Sequence, residues 1–239
     1  PMGRGCVKHA PDLGPKMLYL AGKSEERKKG WGNAASHYLA IPKLYPESSY
    51  ADDGFALGGI AIQETGNATD ARRHWETQVD RYPTGDMAGE AFWRLAWGAY
   101  RSGNTQSAIA WAERTLRELP IEVDPEHFRA ARYWTARWRL YPSVKAPNKL
   151  TLNAKDKTQG LDELTAVMVN HPTSYYGLQA ASRLRSIDPN RLLALRHLAR
   201  PSHPKAWQFR AEFVEDQHTL NGIALSLLGL RQEALAEFR

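Results

Sequence analysis

The chain has 239 residues, 42% hydrophobic and 24% charged, with a formal net charge of +6. That balance is ordinary for a folded domain and excludes a disordered polyelectrolyte. One cysteine, Cys6, excludes an intrachain disulfide, and no apolar run approaches the ~20 residues of a membrane-spanning helix. Arginines are scattered along the chain, and no Lys/Arg tract exceeds Arg27-Lys28-Lys29, so phosphate tracking along a nucleic acid is not expected. Val and Ile are sparse while Ala, Leu, Arg and Glu abound, which favours helix over strand. Eight Trp and ten Tyr call for a large core or an exposed aromatic face.

Residues 1–14 read as an N-terminal tail. Cys6 has no base nearby to make it a nucleophile, and no signal peptide is visible. Ala21-Gly22-Lys23-Ser24 ends like a phosphate loop, but Met17 stands where the first glycine should be. A helix end with a solvated lysine is the plainer reading. Glu47-Ser48-Ser49-Tyr50 follows Pro46 and reads as a turn, with Ser48 or Ser49 capping the next helix.

Pro46, Pro83 and Pro120 stand 37 residues apart, and so do Gly66-Asn67 and Gly103-Asn104, and Ala71 and Ala108. Three independent marks on one period define a repeat. Within each unit, Gly-Asn ends a first helix and Pro ends a second. The predicted helices are 51–65, 68–81, 87–102 and 105–119. Phe92, Leu95, Ala96 and Ala99 form one apolar stripe, which Ala108, Ala112 and Thr115 face. A looser unit precedes them, with Leu18, Ala21, Ala34, Tyr38 and Pro46. These positions resemble the tetratricopeptide pattern, whose usual period is about 34 residues. The fold expected is all-α: a right-handed superhelix of antiparallel helix pairs, a tetratricopeptide-like α-solenoid. Residues 15–120 form its repeats, and residues 121–239 continue the helical superhelix.

Beyond Pro120 the register changes. A helix is predicted over 125–140, a polar loop over 141–158 and helices over 160–170 and 173–187. Shorter helices follow over 190–198, 204–213 and 215–228. Gly229 breaks the last, and 231–239 begins its partner. Leu225, Gly229 and Ala234 match the middle of a further repeat. Because the chain stops at Phe238-Arg239, inside a predicted helix, a longer protein is expected. His197 and His203 lie close in sequence, but no Cys or carboxylate joins them at ligand spacing, so no metal or other cofactor is expected.

Ala131-Arg132-Tyr133-Trp134-Thr135-Ala136-Arg137 and His171-Pro172-Thr173-Ser174-Tyr175-Tyr176-Gly177-Leu178-Gln179-Ala180-Ala181-Ser182-Arg183-Leu184 resemble two helices of the superhelical part of soluble lytic murein transglycosylases. Leu227-Leu228-Gly229-Leu230-Arg231-Gln232-Glu233-Ala234-Leu235 is similar to the unit that precedes their catalytic part. The resemblance spans roughly residues 15–239 and implies a periplasmic protein acting on peptidoglycan. It also implies a C-terminal lysozyme-like domain with a Glu-Ser-x-Phe and Gly-Leu-Met-Gln signature, which is absent from these 239 residues. No catalytic residue is assigned; Glu47-Ser48-Ser49-Tyr50 lacks the second motif and sits inside the repeat.

Candidate binding residues are the aromatic and Arg side chains of the first helices, which line the concave wall in such an architecture. They are Trp93, Arg94, Trp97, Tyr100, Arg101, Trp134, Arg137, Trp138, Tyr175 and Tyr176. There they would hold glycan rings and stem-peptide carboxylates. The partner expected is peptidoglycan. The alternative is a protein or peptide ligand in the groove of a scaffold.

Overall fold

The computed structural model describes residues 13–195, 216–227 and 230–238. Twelve helices and no strand occur among them. They divide into two compact units, up to Leu195 and from Arg196 onward.

The first unit contains α1 (Leu13–Arg27), α2 (Trp31–Leu44), α3 (Ala51–Glu64), α4 (Ala68–Arg81), α5 (Ala88–Arg101), α6 (Thr105–Glu118), α7 (Pro125–Leu140), α8 (Ala154–Asn170), α9 (Tyr175–Ile187) and α10 (Pro189–Leu195). Each helix packs on the next in sequence, which makes the unit a helical solenoid. Contacts also run between alternate helices, from α1 to α3, α3 to α5, α5 to α7 and α7 to α9. Comparable contacts between α2, α4, α6 and α8 are absent among the described residues. The odd-numbered helices therefore form the closer-spaced, inner layer.

The period-37 marks act as punctuation. Gly66 and Gly103 adopt φ of 92° and 88°, a backbone that residues with a Cβ avoid. The asparagines do something other than share that conformation. Asn67 and Asn104 are N-caps, whose side-chain oxygens accept from the backbone N–H of Asp70 and Ser107. Each Gly-Asn dipeptide thus stops one helix and starts the next.

Within a pair, size is matched across the seam. Gly22 faces Tyr38, and a Cβ added to it would collide with that ring. Thirty-seven residues on, Gly59 faces Trp75 in the same way. The next members of the two series are Ala96 and Ala112, both buried. Those two line a cavity of only about 10 Å³, which Trp93, Trp134 and Trp138 close. Bulk lost within one pair is restored by indoles, two of them from the next pair.

Between pairs, polar ties repeat with different chemistry. Tyr82 Oη donates to the Pro46 carbonyl at 2.8 Å, and the Met87 amide donates to Asp52 Oδ2 at 3.1 Å. Thr105 Oγ1 donates to the Pro142 carbonyl. Arg114 on α6 pairs with Asp80 at 2.8 Å and Glu118 at 2.9 Å, while Arg139 on α7 reaches Glu113 and Glu163.

Three expectations change. Gly22-Lys23-Ser24 lies within α1 rather than at its end, with Gly22 buried and Lys23 paired to Glu26 at 3.1 Å. Ser48 forms a turn, accepting from the Tyr50 amide at 3.2 Å, and no side chain caps α3. The loop expected over 141–158 ends at Asn153, whose side chain accepts from the Lys155 and Asp156 amides and starts α8 at Ala154.

In the second unit, α11 (Gln217–Leu227) packs on α12 (Arg231–Glu237). Gly222 lies against the Phe238 ring, repeating the small-against-aromatic seam. Residues 1–12, which include Cys6, and the region holding His197, His203, the helix expected over 204–213 and Gly229 lie outside the described residues.

Candidate functional site

The candidate residues occupy α5, α7 and α9, three successive inner helices, and most of them meet. Trp93 and Trp97 stack at 5.4 Å with their planes 19° apart. The edge of Trp97 meets Trp134 of α7 at 5.0 Å. Trp134 touches Tyr133 at 5.7 Å, Tyr133 touches Tyr176 at 5.5 Å, and Tyr176 touches Tyr175 at 5.1 Å. The result is a continuous chain of aromatic contacts, a ladder across three inner helices, in which Tyr133 is a buried link, 3% exposed. Such edge and offset contacts suit the ring quadrupoles and hold each ring in place.

The ladder has a buried side and an open side. Trp138 is fully buried and Tyr100 nearly so, stacked on each other at 5.3 Å. These two are core residues and are withdrawn from the groove set. Periodicity puts them on the same stripe as Trp97 and Trp134, and one helical turn of depth separates the two roles. Trp93, Trp97, Trp134 and Tyr176 are half-buried, and Tyr175 is 65% exposed.

The arginines differ in how they are held. The Arg137 guanidinium lies over Trp134 at 5.1 Å. Arg94 donates from Nε to Glu90 at 2.7 Å and from Nη1 to Gln63 at 3.0 Å, and covers Trp75 at 5.3 Å. Arg101 is exposed and has no ion pair among the described residues.

Part of the ladder opens into a groove of about 590 Å³ between the end of α3, the start of α4 and the C-terminal half of α5. Gln63, Arg72, Trp93, Arg94, Trp97 and Arg101 are among its walls. Gln63 and Arg72 are groove residues that the sequence alone does not point to. Gln63 and Arg72 lie on another helix pair, and only tertiary packing brings them to α5.

A second polar cluster sits at the joint between α3 and α5. Carboxylate oxygens of Asp52, Asp53 and Asp86 lie within 4.8 Å of one another. Burial first, then the charges of Asp86 and Asp52, push Asp53 up to about 6. Burial also raises Asp52, whose Oδ2 is already engaged by the Met87 amide. At the next joint His127 stands 2.7 Å from Asp124 and 3.6 Å from Glu90. Burial lowers the His127 pKa, but hydrogen bonds to Glu90 and Asp124 outweigh it, and the net shift is upward. Both clusters fasten the N-terminus of an inner helix to its neighbour.

No protein-family model matches the chain, and no curated protein matches it significantly. No described helix is long and apolar enough to cross a membrane.

Proposed function

We propose that the chain is a non-catalytic, tetratricopeptide-like superhelical module that holds peptidoglycan. In this reading it positions glycan strands for a lysozyme-like domain of the soluble lytic transglycosylase kind, in the periplasm. The support is the aromatic ladder on α5, α7 and α9. Sugar rings present apolar C–H faces that lie well on indole and phenol rings, and the guanidinium groups beside them suit acidic substituents. The Tyr-Trp of α7 and the Ser-Tyr-Tyr-Gly at the start of α9 carry the family resemblance, and both feed the ladder.

The test separates the open rungs from the buried ones. Tyr175→Ala removes a mostly exposed side chain, so stability should move by no more than ~0.5 kcal/mol. Trp138→Ala should cost about 3–5 kcal/mol through the cavity it leaves. Glycan chains from peptidoglycan should bind the native protein, and Tyr175→Ala and Trp97→Ala should weaken that binding several-fold. A native protein that ignores the glycan, or variants that bind it equally well, would refute the reading. Retention of a protein or peptide in place of glycan would favour the scaffold alternative.

A further inference from the structure

We infer that the groove between α4 and α5 is a carboxylate-binding subsite for the acidic peptides that peptidoglycan carries, with Arg101 as its primary ligand. The choice of peptide rests on the peptidoglycan reading; the choice of carboxylate rests on the groove itself.

Charge is the first argument. Three guanidinium groups, from Arg72, Arg94 and Arg101, line the groove against one carboxylate, Glu90. Glu90 offsets Arg94 at 2.7 Å and Glu76 offsets Arg72 at 2.7 Å, so the charge left over in the groove is that of Arg101. The Glu90 pKa is lowered, first by the hydrogen bond with His127, so it stays ionised in its pair with Arg94. The surplus is positive, so the groove favours an anion.

Geometry selects the kind of anion. Arg94 is held by Glu90 and Gln63 and flattened on Trp75, which makes it a rigid wall. Arg72 is half committed, paired with Glu76 at 2.7 Å on its own helix. Arg101 alone has its whole fork free among the described residues, at the mouth of the groove. A planar fork matches a planar carboxylate through two parallel hydrogen bonds. Trp93 and Trp97 lie on the same wall, so the group attached to that carboxylate meets an aromatic surface. A volume of about 590 Å³ is right for a short peptide. A bare inorganic anion would leave the indoles unused.

The test uses the full chain and two probes, peptidoglycan stem peptides released from the glycan and glycan chains stripped of peptide. Intrinsic tryptophan fluorescence reports both, since Trp93 and Trp97 border the groove. Released peptides should bind the native protein and lose affinity by about tenfold or more in Arg101→Glu. Arg101→Gln should show a smaller loss, and affinity should fall with added salt. Both variants change an exposed side chain, and an unchanged circular dichroism melt verifies that they fold. Peptides that fail to bind, or that bind Arg101→Glu as well as the native protein, overturn the inference. If peptides bind through Arg101 while glycan chains do not, this subsite stands and the glycan-holding reading falls.

Discussion

Tyr82 donates its phenolic hydrogen to the carbonyl of Pro46, 2.8 Å away, so the residue that ends one repeat's second helix is tied to the proline that ends the previous one. The bond crosses a joint and ends on one of the period's own punctuation marks, Pro46. Tyr82→Phe keeps the ring against Phe55 and removes only the hydrogen bond. The expected loss is about 1 kcal/mol, since the exposed side of the joint lets water reach the carbonyl. A urea unfolding curve measures it, and a midpoint equal to that of the native protein would show that the tie contributes nothing.

Gly59 and Trp75 make a second testable pair. Alanine is a better helix former than glycine by about 1 kcal/mol, so a surface Gly→Ala change in a helix would stabilise. Here the added Cβ would meet the Trp75 indole, whose Nε1 donates to the Ala56 carbonyl at 3.2 Å. Gly59→Ala should therefore destabilise, by about 1–3 kcal/mol net of the propensity gain. Trp75→Ala should cost about 3–5 kcal/mol alone. The double variant reproduces the Ala96–Ala112 arrangement, so its cost should be less than the sum of the two. Strict additivity in a double-mutant cycle would show that the seam is not size-matched.

The aspartates at the α3–α5 joint give stability an unusual pH slope. Burial and mutual repulsion raise Asp53 to about 6 and raise Asp52 as well, with Lys23 opposing the shift at Asp53. A raised carboxyl binds its proton more tightly when folded than when unfolded. Its contribution is fully present below the unfolded value near 4 and is lost as pH rises through the folded value. Asp53→Asn should raise the urea midpoint at pH 7.5 and flatten the decline between pH 4 and pH 6.5. A variant with the native pH profile would show that Asp53 does not carry the slope.

The repeat was legible because its marks are backbone chemistry. Gly-Asn joins two helices, and proline suits a helix's first turn or the stretch just after its end, as Pro125 opens α7 and Pro83 follows α4, so residues 68–81 and 125–140 could be delimited from sequence alone. The start of α8 was missed although Asn153 precedes Asp156 in a capping arrangement, because the lysines of the segment outweighed that cue. Side-chain roles were harder. Trp97 and Trp138 look alike in a heptad-like stripe, and only the placement of α7 on α5 makes one a wall and the other core. The groove was invisible for the same reason: Gln63 and Arg72 share no period with Arg101.

The matched seam also bears on how such a chain can be rearranged. A helix transplanted by itself would bring Trp75 against Ala96, or set Gly59 against Ala112, and leave either a clash or a hollow. The α3–α4 hairpin carries its complement with it, Gly59 against Trp75, whereas α5–α6 also needs Trp134 and Trp138 of α7. Recombination, natural or engineered, should therefore tolerate exchange in blocks cut between hairpins, with α5–α6 moved together with α7–α8, and reject exchange cut at Gly66-Asn67, even though that dipeptide is the more exposed place to cut.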